Sequence, residues 1–504
     1  MDRAEVELKF EVSDEALQKL GEHPAFSAPG RTGHLRSVYF DTPDRDLRNA
    51  CLGLRVRQSD DGLVQSLKWE KPSAPLARRE WETQLRTERP DPDALADTPA
   101  GDVLVSGDLP LEPVFTTAVE RTRRVWKRGR DKVEVSLDQG EITCGTRREP
   151  IQELELELKA GDPQALFELA TALSDQVRLP LMFQSKAERG YHLADDPGWR
   201  PEHAQPIAVP PETPAAEAFR DIARSCLAQI ANNAKLLCRY RSLESLHQMR
   251  VGLRRFRAAL TTFRSLVEDR EYDRIKAETK WLASELDAAR DLDVFIHEGF
   301  RCVEPEPADR EAFARLGAQL LHAQSEAYER ALAALASPRF AEIMLLTTRW
   351  LEIGPWADSE EPVLKKLRAC RTDEFAHDQL HRMRRQVRKR GRRLARLDEQ
   401  SRHRLRIKAK KLRYAAEFFS GSFGRKRRRK RFLNALGELQ DGLGRLHDIA
   451  VTPQLTLGLI SGHSAEAGFA AGLIVAERRV SSKKAERAAL EAFEAFDATK
   501  PFWN

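Results

Sequence analysis

Residues 153–159 alternate strictly between charged and aliphatic side chains, in the order Glu-Leu-Glu-Leu-Glu-Leu-Lys. Successive side chains of a β-strand point to opposite faces, so this alternation predicts a strand with three glutamates on one face. Like charges along one face repel each other unless groups of opposite sign lie among them. The segment therefore predicts a sheet with an aliphatic face and an opposite face that carries an organised charged site.

The same period of two recurs elsewhere in the first 200 residues. Residues 5–10, 52–58, 63–69 and 132–138 show it, and turn-forming residues such as Asp60-Asp61-Gly62 separate such stretches. Several antiparallel strands of this kind predict a barrel or a sandwich. We expect helices to interrupt the strands at 13–21 and 163–176.

Charge divides the chain of 504 residues into two parts. Residues 1–200 contain 29 Lys and Arg against 37 Asp and Glu, whereas residues 201–504 contain 55 against 41. Opposite net charges predict two units with different partners. Six prolines between Pro197 and Pro214 predict an extended linker. We therefore expect domains at 1–196 and 215–500, joined by a linker at 197–214.

The composition excludes several classes of protein. Hydrophobic residues make up 41% of the chain, which excludes wholesale disorder. The chain contains no run of about 18 apolar residues, so the sequence predicts no membrane-spanning helix. The six cysteines are scattered without a CxxC motif, and the N-terminus lacks a signal-peptide pattern. We expect a cytoplasmic protein with free thiols and no membrane partner.

The charged strand faces suit two kinds of ligand. Three aligned glutamates offer the oxygen ligands that Mg²⁺ and Mn²⁺ prefer. Paired arginines, such as Arg55 with Arg57 and Arg121 with Arg123, suit phosphate oxygens. One such face alone is more often simply solvated. A barrel lumen lined with both groups would hold a metal-chelated polyphosphate chain.

Glu5-x-Glu7-x-Lys9 resembles the signature of the CYTH domain, the triphosphate tunnel metalloenzymes. Further segments over about residues 1–195 follow in the order typical of that family: 39–43, 54–57, 67–68, 79–82, 115–117, 121, 137–140, 153–157, 186 and 189–191. The resemblance implies an eight-stranded antiparallel tunnel that hydrolyses a triphosphate with a divalent metal.

The resemblance also implies roles for individual residues. The basic group would grip the triphosphate: Lys9, Arg55, Arg57, Lys68, Arg121, Arg123, Lys186 and Arg189. The acidic group would hold metal or position water: Glu5, Glu7, Asp138, Glu153, Glu155 and Glu157. Glu5, Glu7 and Lys9 are the catalytic candidates. Inorganic triphosphate is the expected substrate, with thiamine triphosphate and nucleoside triphosphates as alternatives.

From about residue 215 the apolar residues follow a helical period, and one pattern occurs twice. A stripe of His247, Arg250, Arg254 and Arg257 is copied 156 residues later by His403, Arg406, Lys410 and Arg413. A weaker echo pairs residues 286–291 with 443–448. The repetition predicts two related helical halves, at about 215–350 and 365–500. Residues 381–431 contain 23 Lys and Arg and three acids, a density that predicts a polyanionic partner.

This half resembles the CHAD domain over about residues 215–500. The resemblance implies two four-helix-bundle-like halves and a basic surface that binds inorganic polyphosphate through the eight stripe residues. Nucleic acid is the rival partner, because its backbone is also a phosphate chain. A scaffold for an acidic protein or a storage granule ranks third.

The sequence therefore predicts a two-domain α+β protein, with an N-terminal β tunnel and a C-terminal all-α domain. Its expected activity is hydrolysis of inorganic triphosphate to phosphate and pyrophosphate, dependent on Mg²⁺ or Mn²⁺. The expected location is the cytoplasm, at polyphosphate granules. The alternative is a non-catalytic protein that binds polyphosphate or nucleic acid.

Overall fold

The chain folds into two compact units. The computed structural model describes residues 5–27, 29–69, 77–104, 110–195, 200–207, 209–460, 465–480 and 482–504. The first unit comprises residues 1–202, 227–236 and 337–353, and the second comprises residues 203–226, 237–336 and 354–504.

The first unit is built on an antiparallel sheet. Within the described residues it has nine strands: β1 (Glu5–Glu11), β2 (Arg31–Asp41), β3 (Leu52–Ser59), β4 (Gly62–Trp69), β5 (Ala77–Leu85), β6 (Glu112–Arg128), β7 (Asp131–Cys144), β8 (Arg147–Ala160) and β9 (Leu181–Met182). Their order is β5-β4-β3-β2-β6-β7-β8-β1-β9, and β1 also pairs with β5. The β1–β5 pairing closes the sheet into a barrel, which leaves no long edge between these strands.

The ninth strand is the one difference from the expected eight. β9 is two residues long and pairs with the second half of β1, at Lys9 and Phe10. The first half of β1 pairs instead with β5, at Glu5 and Val6. One edge of β1 is thus shared by two different strands, while its other edge pairs with β8, an arrangement that period-two alternation does not reveal.

Five helices lie in the sequence of this unit up to residue 195: α1 (Asp14–Leu20), α2 (Asp46–Asn49), α3 (Pro99–Leu104), α4 (Pro163–Ser174) and α5 (Lys186–Asp195). The helices expected at 13–21 and 163–176 are confirmed as α1 and α4. Ser13 and Asp162 cap their N-termini with side-chain oxygens, as short polar residues at that position favour.

A buried carboxylate fixes the end of β2. Asp41 accepts hydrogen bonds from the backbone N–H groups of Leu47 and Arg48, at 2.9 and 3.1 Å, and from the hydroxyl of Tyr191 at 2.8 Å. Gly190 lies directly against the ring of Phe115, where a Cβ would be 2.0 Å from Cε2. These contacts attach α5 to the barrel, so the side chains at its start are held against the lumen.

The helices that follow are α6 (Ala215–Tyr240), α7 (Leu243–Thr262), α8 (Arg264–Val267), α9 (Tyr272–Glu298), α10 (Arg310–Ala336), α11 (Pro338–Ile353), α12 (Pro355–Asp358), α13 (Pro362–Ala369), α14 (Thr372–Gly391), α15 (Glu399–Phe418), α16 (Lys426–Ile460), α17 (Ala465–Val480) and α18 (Ser482–Ala498). The two repeated segments form α7 and α15, each 20 residues long and offset by 156 residues. The weaker echo lies in α9 and α16. The expected internal repeat thus corresponds to paired helices.

The apolar faces of the repeated helices meet in the core of the second unit. Phe263 and Phe419, which follow α7 and α15, are fully buried with ring centroids 5.6 Å apart. Phe375 of α14 stacks on Phe263 at 4.9 Å. These aromatic contacts fix the two repeated helices relative to each other and so align their basic stripes.

The end of the proline-rich segment is attached to the start of α14. Ala215 donates its backbone N–H to Cys370 at 2.8 Å, and Thr372 donates to the carbonyl of Thr213 at 2.9 Å. The six cysteines all lie within the described residues, and no disulfide joins any two of them.

Among the described residues, no single helix is both long and apolar enough to cross a membrane. The consecutive segments Pro307–Ala336 and Pro338–Asp358 reach that length and composition only when taken together.

Candidate functional sites

Strand pairing places charged side chains in rows across the barrel wall. Glu134 of β7 is paired with Glu157 of β8, and Glu157 is paired with Glu7 of β1. These three carboxylates therefore form an acidic row across three adjacent strands, with directly opposite Cβ atoms about 5 Å apart. Lys9 is paired with Glu155 in the next row of the same face.

These rows line a cavity of about 290 Å³ inside the barrel, which we call the tunnel cavity. Its basic lining residues are Lys9, Arg55, Arg57, Lys68, Arg121, Arg123, Lys159 and Lys186. Its acidic lining residues are Glu7, Glu80, Glu82, Glu134, Glu155 and Glu157. The tunnel cavity thus offers cations for phosphate oxygens and carboxylates for a metal ion or a proton.

On one wall, Glu80 holds two cations in place. Lys68 Nζ lies 2.9 Å from Glu80 Oε2, and Arg55 donates to Glu80 Oε1 at 3.1 Å and to the hydroxyl of Tyr39 at 3.5 Å. Burial raises the pKa of Glu80, but Arg55 and Lys68 outweigh it and lower that pKa to about 2. This carboxylate therefore stays ionised and orients both cations toward the lumen.

On the opposite wall, Glu155 lies among three cations. Arg121 donates to Glu155 at 2.5 Å, Lys186 donates at 2.9 Å, and Lys9 Nζ lies 3.3 Å away. Burial raises the pKa of Glu155, but these cations hold it well below its usual range. Arg121 also donates to both oxygens of Asp138, at 2.6 Å each. The cations of this wall are thus positioned by buried carboxylates.

A further buried cluster supports that wall from behind. Arg189, only 3% exposed, donates to Glu149 at 2.7 Å, to the carbonyl of Pro150 at 2.6 Å, and to Glu153. Glu153 in turn accepts from Lys186 at 2.6 Å. Arg189 is therefore placed to hold Glu153 and, through it, Lys186.

The structure brings most of the sequence-predicted tunnel residues together. Those on the cavity wall are Glu7, Lys9, Arg55, Arg57, Lys68, Arg121, Arg123, Glu155, Glu157 and Lys186. Asp138, Glu153 and Arg189 are buried behind it, and the side chain of Glu5 lies outside the described residues.

Sequence reasoning missed several lining residues, notably Tyr39, Glu80, Glu82 and Glu134. The signal for Glu80 and Glu82 was present, since they alternate with Arg79 and Trp81. Glu134 shares a strand face with Asp138 by the same rule.

The acidic residues of the barrel form two groups, which differ in how they suit a divalent metal. Asp138, Glu153 and Glu155 are all buried, with one oxygen of each within 4.8 Å of the others. Lys186 donates to all three of these carboxylates, at 2.8, 2.6 and 2.9 Å. The acidic row of Glu7, Glu157 and Glu134 instead faces the cavity and has the oxygen chemistry that Mg²⁺ or Mn²⁺ requires. The donor set therefore fits such an ion in its chemistry. The acidic row lies on the cavity wall, where Glu7 pairs with Lys9 at 3.3 Å and Glu157 with Lys159 at 2.5 Å.

The second unit contains a larger cavity of about 620 Å³, which we call the central cavity. Seven of the eight stripe residues line it: His247, Arg250, Arg254, Arg257, His403, Arg406 and Lys410. Arg413 lies off this lining and pairs with Glu417 on its own helix at 2.8 Å. Helices α9 and α16 add residues that the stripes did not predict: Asp287, Arg290, Asp291, His447 and Asp448.

Burial and neighbouring cations lower the pKa values of several groups in this cavity. Burial, with Arg406 and Arg254, lowers the pKa of Lys410 to about 7. Burial and neighbouring cations also lower the pKa values of His247 and His447 to about 4. The histidines are therefore neutral at neutral pH, and the nearby cations favour an added anion.

Comparisons with known proteins agree with this geometry. The CYTH domain model matches residues 3–191, and the CHAD domain model matches residues 221–456. An inorganic triphosphatase of Haemophilus influenzae is 34% identical over 194 residues, which are 38% of this chain and 54% of that protein. An uncharacterised protein of Mycobacterium tuberculosis is 26% identical over 316 residues, 58% of each chain. The chain thus spans little more than half the length of these relatives.

Among solved structures, the CHAD domain from the plant Ricinus communis is similar to the helical part. It is 28% identical with a TM-score of 0.51, and the match covers 60% of this chain and 98% of that one. Together with the barrel and the repeated helices, these matches identify the chain as a CYTH domain followed by a CHAD domain.

Proposed function

We propose that the CYTH domain hydrolyses inorganic triphosphate to phosphate and pyrophosphate, and that the CHAD domain binds inorganic polyphosphate. The observation that carries the first part is the tunnel cavity, whose opposing walls present positioned cations and an acidic row. The similarity to an inorganic triphosphatase over residues of the CYTH domain supports it.

The cations would bind the substrate by neutralising its oxygens. A triphosphate carries several negative charges, which repel an incoming nucleophile. Arg55 and Lys68 on one wall, with Arg121 and Lys186 on the other, would grip those charges from two sides. Because buried carboxylates already hold these cations in place, little reorganisation is required when the charge shifts during reaction.

Hydrolysis then requires water to be oriented and deprotonated. The water oxygen bonds to the terminal phosphorus while the bond from that phosphorus to its bridging oxygen breaks, releasing pyrophosphate. Glu7 lies on the cavity wall with Lys9 at 3.3 Å, and we assign it as the acceptor of the water proton.

A divalent metal, when bound, would neutralise phosphate charge and polarise the reacting oxygens. Glu7, Glu157 and Glu134 would hold it, with Glu155 beside them. Carboxylate ligands suit Mg²⁺ and Mn²⁺ alike.

The central cavity supports polyphosphate binding by the CHAD domain. Its cations come from both repeats, and burial with neighbouring cations lowers the pKa values of Lys410 and Arg406. A phosphate chain supplies closely spaced charges without requiring base recognition. Binding there would retain the enzyme where phosphate polymers accumulate, including polyphosphate granules.

The test is phosphate release by the purified full-length protein. Tripolyphosphate, ATP, thiamine triphosphate and long-chain polyphosphate would each be supplied with Mg²⁺, Mn²⁺ or a chelator. We expect metal-dependent release from tripolyphosphate, and a loss of roughly 100-fold or more in Glu7→Gln. Glu141→Gln, the same change at the exposed end of β7, should behave as the wild type.

Two results would contradict the proposal. Release that is unchanged in Glu7→Gln would remove Glu7 from the reaction. No release from any substrate would exclude the triphosphatase and favour a polyanion-binding protein, for which polyphosphate and DNA should then be compared.

A further inference from the structure

Two more cavities of the second unit are lined by residues of α14. One, of about 400 Å³ between α14 and α15, shares Thr261, Ile407 and Lys411 with the central cavity. The other, of about 1040 Å³ along α14, shares Arg382 with the first. Shared lining side chains therefore place the three cavities next to one another in series, and we call the two outer cavities the α14 track.

The α14 track is strongly basic. Its first cavity is lined by Arg264, Arg382, Arg390, Arg404, Lys408 and Lys411. None of the described residues that line this cavity is acidic. The track therefore carries the positive field of the central cavity outward.

A single helix face carries the charge through the second cavity of the track. Arg382, Arg385, Lys389 and Arg392 are all exposed and recur every three or four residues, so they lie on one side of α14 and the turn that follows it. At a rise of 1.5 Å per residue, this row is about 15 Å long. A row of this length suits a linear polyanion rather than a compact one.

The basic groups of the track repel one another. Burial and the neighbouring Arg390 and Arg382 lower the pKa of Lys408, and burial with Arg257 and Lys408 lowers that of Lys411. An anion placed between these groups would relieve the repulsion on both sides of the junction with the central cavity.

The lining favours a phosphate polymer over a single-stranded nucleic acid. Proteins that bind single strands stack bases on aromatic side chains. Phe, Tyr and Trp are missing from the described lining of both track cavities. Apart from Asp378, Met383 and Ile407, the lining side chains offer positive charge and hydrogen-bonding groups, which a chain of phosphates alone can satisfy.

We propose that the polyphosphate site continues from the central cavity along the α14 track, so that long chains bind more tightly than short ones. This inference rests on the proposed binding of polyphosphate by the CHAD domain. It adds a second, chain-length-sensing part to that site.

The experiment measures the affinity of the full-length protein for end-labelled polyphosphates of increasing length. Binding is followed by fluorescence anisotropy in the absence of divalent metal. The double variant Arg404→Gln/Lys408→Gln removes two track cations. Its matched control, Lys483→Gln/Lys484→Gln, removes two exposed cations of α18 that line neither track cavity. Binding in the tunnel cavity is common to all these proteins and cancels from the comparison.

For the wild type we expect affinity to rise with chain length and to fall steeply with salt. The track variant should bind long chains roughly tenfold more weakly, keep its affinity for the shortest chain, and show a shallower salt dependence. The control should match the wild type, and circular dichroism should show equal folding.

Unchanged affinity of the track variant for long chains would overturn the inference, as would an equal loss for short and long chains. A loss confined to single-stranded DNA would also overturn it and assign the track to nucleic acid. Arg254→Gln in the central cavity separates the two proposals. If Arg254→Gln binds polyphosphate as tightly as the wild type, or if neither protein binds it, then the proposed binding of polyphosphate in the central cavity is wrong. The track proposal, which rests on that binding, is then wrong as well.

Discussion

Lys68 and Glu80 face each other across β4 and β5, with Nζ and Oε2 2.9 Å apart. Glu80 also accepts a hydrogen bond from Arg55, so a single carboxylate orients two cations of the tunnel cavity. The barrel therefore holds these two cavity-lining cations in ion pairs within the protein.

This ion-pair network predicts an acid-sensitive barrel. The pKa of Glu80 is lowered from 4.5 to about 2, so its contribution to the free energy of unfolding is fully present above pH 4.5. That contribution is lost as the pH falls through about 2. We expect the melting temperature of Glu80→Gln to be lower than that of the wild type at neutral pH and to change less between pH 4.5 and 2. Scanning calorimetry across this pH range measures the two melting temperatures. An equal decrease of the melting temperature with falling pH in both proteins would contradict the prediction.

Arg121 should be essential for activity because of its fork-shaped donors. It binds both oxygens of Asp138 and also reaches Glu155, a geometry that lysine does not reproduce. We expect Arg121→Lys to lower kcat/KM by roughly 100-fold. Arg148→Lys is the matched control, because Arg148 contacts both oxygens of the exposed Glu141. Steady-state phosphate release measures both, and equal rates would show that a cation alone suffices at position 121.

Replacement by methionine should lower stability at Arg189 but raise KM at Arg57. Loss of buried Arg189 leaves Glu149 and Glu153 without its charge, so we expect Arg189→Met to destabilise the protein by about 3–5 kcal/mol. Arg57 lines the tunnel cavity, so Arg57→Met should raise KM about tenfold or more with little change in stability. Urea unfolding and steady-state kinetics separate the two effects. A stable Arg189→Met with a raised KM would mean instead that Arg189 contacts substrate.

Polyanion binding in the central cavity should depend on pH through Lys410. With a pKa of about 7, Lys410 is only partly charged at neutral pH, and a bound polyanion should raise that pKa. Binding should therefore take up protons near pH 7 to 8 and weaken as the pH rises further. Calorimetry in buffers with different ionisation enthalpies measures the uptake. Lys410→Arg, which stays charged, should abolish it; persistent uptake in that variant would place the titrating group elsewhere.

Local periodicity predicted the charged faces but not their depth in the barrel. Glu153, Glu155 and Glu157 share one face of β8, as the alternation indicated. Glu155 and Glu157 reach the tunnel cavity, whereas Glu153 is buried behind it against Arg189. Period-two alternation specifies the face of the strand on which a side chain lies. How deeply that side chain is buried depends on the curvature of the closed sheet and on which residues α5 covers.

In the helical half, too, the sequence predicted the face on which residues lie but not which of them reach the central cavity. The repeated stripes predicted seven of the cavity residues, because a helix places residues three and four apart on one face. Arg413 continues the stripe but lies beyond the cavity, and Asp291 and His447 enter from α9 and α16. Their placement depends on packing between helices far apart in sequence.

The sequence by itself determined that a β-sheet region precedes a helical region, which strands carry a charged face and which two helices match in their basic stripes. These follow from backbone geometry, which repeats every two residues in a strand and about every 3.6 in a helix. Only the tertiary structure decided that Glu80 holds Lys68 and Arg55, that Arg189 supports Glu153, and that two basic cavities along α14 follow on from the central cavity. Those relationships depend on strand register, barrel closure and helix packing, which bring distant residues into contact and are not encoded in any local period.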